Sequence, residues 1–240
     1  MKKIIIVVPT YNEEKVIEEN LIKLNNFLKK HLSKYNWKII VGDDSTDTTP
    51  QIVKRLVKKY PRIEYVWSGG KSKSRAEKKI WLSREADFYL CMDADLSADI
   101  SHTPELIKGL EEGYDMVIGS RTAEESKRSR LINRKIISKT LIILIQTLFR
   151  TKITDFQCGL KGFNKKVIDN ILPKMEALEV GFMDTEMIVV ALDKKYKIKE
   201  IPVRWIDFRR DSKIPLFKGI IDGLLNLVKI KMKLIFGKYD

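Results

Sequence analysis

Apolar positions along this chain come in two alternating patterns. Continuous runs at residues 4–8 and 88–92 predict buried strands, the first of the parallel type, and 38–41, 63–67 and 115–119 predict three more strands. Between them the spacing turns helical: Ile17, Leu21, Leu24 and Leu28 form one stripe, and Ile52, Val53, Leu56 and Val57 form another. Asn12 is placed to cap the first helix, with Glu13 and Glu14 in its first turn, and His31 falls near its end as a solvated residue. A basic, glycine-bearing loop at 69–75 leads into a helix from about Ala76, and 104–112 predicts a short helix. Strand and helix alternate without interruption over this half, which predicts a doubly wound, mostly parallel sheet.

The second half reads differently. Residues 124–139 carry six Lys/Arg against two acids, and 140–149 is almost wholly apolar. A turn-like link at 155–159 follows, and 161–163 leads into a helix ending near Leu172. Residues 183–192 predict a helix with Asp184 and Glu186 as acids of its first turn, and 198–203 a strand. From 215 to 236 the pattern is a long helix whose polar positions Lys218, Asp222, Asn226, Lys229 and Lys233 form one narrow stripe. Its apolar arc is too wide for one packed face and its stripe is mainly lysine, which fits a helix lying in a membrane interface. The pattern divides the chain into a domain over 1–212, with an amphipathic interface helix at 131–150 inside it, and a membrane-associating helix over 213–240.

Composition narrows the partners. With 240 residues and 44% hydrophobic content the chain can bury a real core, and a net charge of +14 calls for an anionic partner. Nucleic acid, an anionic membrane and a nucleotide substrate all qualify. The basic clusters stand beside the most apolar segments and lack interleaved aromatics, which argues against nucleic acid. Cys91 and Cys158 have no metal-site spacing and read as reduced packing residues. The apolar start is too short for a signal peptide, and nothing approaches the roughly 20 residues of a membrane span. The expected location is therefore peripheral, on the cytoplasmic face of a membrane.

Candidate chemistry gathers at three strand ends: Pro9-Thr10-Tyr11-Asn12-Glu13, Asp43-Asp44-Ser45-Thr46-Asp47 and Asp93-Ala94-Asp95. Alone, Asp-x-Asp is a common polar turn. In a parallel sheet, however, the three ends share one edge, where open α/β folds hold ligands. A carboxylate for a base or ribose, an aromatic residue and a carboxylate pair for a divalent cation on one edge suit a nucleotide sugar.

On these motifs the chain resembles the family-two inverting glycosyltransferases of GT-A fold, a Rossmann-like, mostly parallel sheet flanked by helices. Gly119-Ser120-Arg121, the stretch from Asp155 to Phe163 and Asp211-Ser-Lys-Ile214 bring it close to the dolichyl-phosphate glucosyltransferases and mannosyltransferases. The last two motifs, with Val203-Arg-Trp205, resemble the glucosyl branch more. Gly42 and Ser97 depart from the family pattern: the first replaces an acid, the second stands where mannosyltransferases often carry glutamine.

The resemblance implies transfer of a hexose, from UDP-glucose before GDP-mannose, to a polyprenyl (dolichyl) phosphate, with Mg²⁺ or Mn²⁺ as cofactor. It implies that Pro9, Tyr11, Glu13 and Asp43 hold the nucleoside, and that Asp93, Ala94 and Asp95 meet the ribose, diphosphate and metal. Lys73 and Arg121 then contact the donor, and Arg134 receives the lipid phosphate. Arg209 (or Arg210), Ser212 and Lys213 belong to a loop over the diphosphate. Asp155 either orients the acceptor or is a turn residue. A soluble acceptor and a non-enzymatic nucleic-acid-binding role are the alternatives. Oligomeric state is open.

Overall fold

The computed structural model describes residues 1–70, 72–122, 128–129, 132–175, 182–206 and 216–239; for 128–129, 132–139 and 216–222 it gives the backbone alone. The first half follows the expected alternation: β1 (Lys3–Thr10), α1 (Ile17–His31), β2 (Asn36–Asp43), α2 (Thr49–Lys59), β3 (Ile63–Trp67), α3 (Lys73–Leu82), β4 (Phe88–Cys91), α4 (Thr103–Glu111) and β5 (Met116–Ser120). Next come β6 (Arg128–Ser129), α5 (Ile132–Phe149), β7 (Lys161–Asn164), α6 (Lys165–Asn170), α7 (Met183–Asp193), β8 (Ile198–Pro202), β9 (Trp205–Ile206) and α8 (Leu216–Ile235).

Seven strands form the main sheet in the order β3-β2-β1-β4-β7-β5-β8, and β6 pairs with β9 in a small parallel ribbon. β1 pairs in parallel with β2 on one side and β4 on the other, so the ends at Thr10, Asp43 and Cys91 emerge together. The sheet buries both faces, as its unbroken apolar strands require. Ile4, Ile6 and Val8 pack with α1, α2 and α4, whereas Ile5 and Val7 belong to the opposite core with α3, α6 and α7. α5 and α8 lie outermost on that second side, reaching the core through Ile145, Leu227 and Ile230.

Local details depart from the sequence expectations. The first helix begins at Ile17 with Val16 at its cap position, five residues beyond Asn12. Asn12 instead takes a left-handed conformation (φ 56°), and its side-chain oxygen accepts the Thr46 N–H at 2.9 Å. An asparagine tolerates this backbone because its short polar side chain bonds locally. α3 begins at Lys73, three residues earlier than Ala76, because Ser72 caps it by accepting the Arg75 N–H. His31 stacks on Phe27 with ring centroids 4.3 Å apart. The largest departure is residues 161–164, which form an antiparallel strand between β4 and β5. Four residues with lysine and glycine among them carry too little periodicity to announce a strand.

Glycine makes two of these packings possible. At Gly42 a Cβ would stand 2.9 Å from both the Ala76 Cβ and the Ile80 Cδ1, so α3 lies directly on β2. An acid at that position, the family's usual residue, has no room here. At Gly162 a Cβ would lie 2.2 Å from the Leu106 Cδ2 and 3.1 Å from the Leu110 Cδ1. Gly162→Val is therefore expected to destabilise the fold by about 2–3 kcal/mol through overpacking. In thermal denaturation, adding Leu106→Ala to Gly162→Val should restore part of the lost Tm; strictly additive losses would refute this contact.

Candidate active site

The edge formed by β1, β2 and β4 is built from short polar contacts. Asp43, fully buried at the end of β2, accepts hydrogen bonds from the Thr10 hydroxyl (2.8 Å), the Ser45 hydroxyl (2.6 Å) and the Tyr65 hydroxyl (3.1 Å). Burial, and after it the Asp43 charge, pushes the Tyr65 phenol up to about 12, so Tyr65 remains a donor. Asp44 turns the other way: one carboxylate oxygen accepts the N–H groups of Gly69 and Gly70, each at 2.8 Å. This clamps the glycine-bearing loop, whose Gly69 has φ +87°, to the end of β2. The Glu13 N–H donates to Thr49, tying the β1 loop to α2. Pro9 and Tyr11 flank the same strand end and are half-buried.

Past β4, the Lys73 ammonium donates to Asp93 at 2.8 Å and lies 3.8 Å from Glu77 one turn along α3. Burial works against both charges of the Lys73–Asp93 pair. Their mutual attraction outweighs it, raising the lysine well above its ordinary value and lowering the aspartate. Each side chain is still about a third exposed (31% and 36%), so water screens the pair and its net energy is modest. Glu77 is buried and accepts the Cys91 S–H at 2.6 Å; desolvation pushes its carboxyl up to about 7. Asp95 accepts the Ser97 N–H at 3.0 Å, and Leu96 between them is left-handed (φ 49°). Ala94 is buried beneath this turn, where its carbonyl accepts from Asn20.

On the far side of β7, Arg121 follows the end of β5. Its Nε and Nη2 donate to the two oxygens of Asp155 at 2.7 and 2.9 Å, and its backbone N–H adds a third bond at 2.9 Å. This bidentate fork, 13% and 2% exposed, is well shielded from water. Burial opposes it too, but Arg121 holds the Asp155 carboxyl below its ordinary range. Glu200 on β8 braces the pair by accepting from Thr154 and from the Asp155 N–H.

Three elements to which the sequence assigned no role in the site close the arrangement. A Cβ on Gly159 would lie 1.9 Å from the Asp93 Oδ2, so that carboxylate rests against bare backbone. Lys161, 1% exposed, reaches back to the Cys158 carbonyl and pairs with Asp184 at 3.1 Å. Asp184 does lie in the first turn of α7, as expected, but is 8% exposed and serves a buried ion pair rather than a solvated helix end. A lone lysine between glycines in a short apolar stretch was the available signal. The third element is β9. Ala98 bridges to Trp205, and the Ile206 N–H donates to the Ser97 carbonyl at 2.9 Å. β9 thus lies beside the Asp95 turn; Arg209, Ser212 and Lys213 lie outside the described residues. Arg134 is in the first turn of α5; its side chain also lies outside the described residues.

The described residues hold no ready cage of three or more His, Cys, Asp or Glu side chains for a metal. Asp93 and Asp95 supply hard carboxylate oxygens of the kind that hold Mg²⁺ or Mn²⁺ when diphosphate oxygens complete the shell. Both cysteines are buried and free.

Comparison with known proteins agrees with this geometry. Residues 5–172 match the family described as glycosyl transferase family 2. Glycosyltransferase AglD of Haloferax volcanii is 29% identical over 219 residues, which cover 90% of this chain but only 35% of that protein. Dolichyl-phosphate beta-glucosyltransferase of Saccharomyces cerevisiae is 29% identical over 256 residues, covering 98% of this chain and 75% of that one. Among solved structures, glucosyl-3-phosphoglycerate synthase from Mycobacterium tuberculosis, in complex with Mn²⁺, UDP-glucose and phosphoglyceric acid, superposes with a TM-score of 0.69. It is 17% identical and covers 94% of this chain and 79% of its own. With a parallel β1-β2-β4 edge carrying Asp43, Asp93 and Asp95, and with that family match, the chain belongs to glycosyltransferase family 2, has its GT-A fold, and resembles the dolichyl-phosphate glycosyltransferases within it.

Proposed function

We propose that this protein transfers glucose from UDP-glucose, with GDP-mannose the next candidate donor, to a polyprenyl phosphate such as dolichyl phosphate, inverting the anomeric centre. The observation that carries the reading is the shared edge, with Asp43 on one strand end, Asp93 and Asp95 on another, and Arg121 held rigidly across β7. The glucosyl side of the choice rests on the yeast relative and on the motifs from Asp155 to Phe163 and from Asp211 to Ile214.

In this reading Pro9, Tyr11, Glu13 and Asp43 bind the nucleoside, and Asp93 with Ala94 binds the ribose and diphosphate. A divalent cation bound by Asp93 and Asp95 would supply positive charge for the departing diphosphate. Lys73 turns from Asp93 toward the donor phosphates. Asp155 acts as the positioning partner of Arg121, leaving the guanidinium face and its remaining donors for the donor or acceptor phosphate. The acceptor phosphate is already ionised near neutral pH, since its second pKa is about 6. One of its oxygens forms the new bond to the anomeric carbon as the bond to the nucleoside diphosphate breaks, and the electron pair leaves with the diphosphate. No general base is needed. Arg134 receives the acceptor phosphate, and Arg209, Ser212 and Lys213 cover the diphosphate.

The acceptor lipid requires a protein at a membrane surface. No helix among the described residues is long and apolar enough to cross a bilayer. α5 and α8 nevertheless expose Ile143, Leu144, Leu225, Val228, Met232 and Ile235 to water. We assign these two helices to a membrane interface on the cytoplasmic side, with 213–240 as the associating segment.

A screen of nucleotide sugars against polyprenyl phosphate and soluble phosphorylated acceptors tests the reading; transfer only to a soluble acceptor would overturn it. Asp95→Ala is expected to reduce transfer by roughly a hundredfold or more while leaving Tm unchanged. Calorimetric titration of UDP-glucose with Mn²⁺ should lose its metal dependence in that variant. Gly159→Ala, by displacing the Asp93 carboxylate, should cut kcat/KM by up to roughly a hundredfold, and an unchanged value would remove Asp93 from the donor site. Arg134→Ala should raise the apparent KM for polyprenyl phosphate with donor affinity intact; equal damage toward both substrates counts against its role.

A further inference from the structure

The C-terminal ends of α5, α7 and α8 enclose an open cleft of about 470 Å³. Its floor is apolar, with Phe149, Leu192 and Leu234 facing in. Its rim is basic: Arg150, Lys152 and Lys231, against the single carboxylate of Asp193. The Lys231 ammonium stands 5.6 Å above the Phe149 ring, and among the described residues none of the three cations forms an ion pair. Leu192 lies eight residues beyond Asp184 on α7, which at 1.5 Å per residue puts the cleft about 12 Å from that end of the helix. Phe149 stands fifteen residues beyond Arg134 on α5, about 22 Å along the helix, so the cleft is separate from the position proposed for the acceptor phosphate.

Beside the cleft, Leu225, Val228, Met232 and Ile235 recur at helical spacing on the outer face of α8 and are 45–64% exposed. We propose that the cleft binds the phosphate headgroup of an anionic bilayer phospholipid, a site distinct from the one that takes the polyprenyl phosphate. The proposal rests on the membrane reading above. Charge complementarity selects an anion: three unpaired cations surround an opening with one acid. The apolar floor selects an amphiphile over a small soluble anion, since it can cover the glycerol and upper acyl carbons. The exposed α8 stripe, at the depth where acyl chains begin, brings the opening level with the headgroups. Arg150 suits a phosphodiester because its guanidinium presents two donors in one plane.

Sedimentation of the full chain with vesicles of phosphatidylcholine alone, and with added phosphatidylglycerol, tests this. The wild-type protein should prefer the anionic vesicles. Arg150→Gln with Lys231→Gln should lower the affinity for them by about thirtyfold, from about 1 kcal/mol per basic residue at an anionic surface. Binding to pure phosphatidylcholine and calorimetric affinity for UDP-glucose should not change. Lys58→Gln with Lys59→Gln removes the same charge from α2 on the opposite side of the sheet and should have less than about a threefold effect. Equal losses in the two double variants would make the attraction one of general surface charge and overturn the headgroup site. Equal wild-type affinity for both vesicles would overturn it too, while leaving membrane association in place. A wild-type protein that sediments with neither would overturn the membrane reading itself, and the headgroup site with it.

Discussion

The antiparallel strand β7, wedged between β4 and β5, is the constraint on which the site depends. It delivers Gly159 against the Asp93 carboxylate and Lys161 into the buried layer behind it. It also separates the Asp93 end of the edge from the Arg121 end by one strand spacing on each side, roughly 10 Å in all. A nucleoside diphosphate with its sugar spans such a gap. Without the inserted strand, β5 would pair directly with β4 and the arginine would crowd the carboxylates.

The buried charges follow from that insertion. Lys161 is almost wholly removed from water, and its partners are Asp184 and the Cys158 carbonyl. A pair of this kind adds little net stability, because desolvation offsets its attraction; losing either partner leaves an uncompensated charge, at a cost of about 3–5 kcal/mol. Its consequence is positional: it locks the first turn of α7 to β7 and lends positive potential to Asp93. Arg121 and Asp155 repeat the device at the other end, where Glu200 orders the backbone of 154–155. Two rigid cationic centres thus flank an edge lined with carboxylates, a distribution suited to phosphates that change charge during reaction.

The outer helices divide their surfaces in a corresponding way. α7 is buried along nearly its whole length between sheet and outer helices, whereas among its described side chains α8 buries Leu227 and Ile230, packs Leu234 against the core and exposes Leu224, Leu225, Val228, Met232 and Ile235. Tyr239 and Lys233 reach back to Glu186, which fastens the end of α8 to α7. A helix anchored this firmly can keep an apolar face exposed without detaching.

Much of the fold was legible in the sequence because its cause is local. The unbroken runs 4–8 and 88–92 become strands buried on both faces, and Ile17, Leu21, Leu24 and Leu28 become a packed stripe, since periodicity directly encodes which side meets the core. The common edge of Asp43, Asp93 and Asp95 was legible too, as parallel strands must end together. Three things required the tertiary structure. The strand at 161–164 exists only because two partners accept it on either side. Asn12 binds Thr46 rather than capping a helix because β2 brings that loop within reach. Asp155, ambiguous in the chain, is fixed as the partner of Arg121 by a contact across 34 residues of sequence. Such pairings depend on where strands lie relative to one another, and no pattern along a single chain segment carries that information.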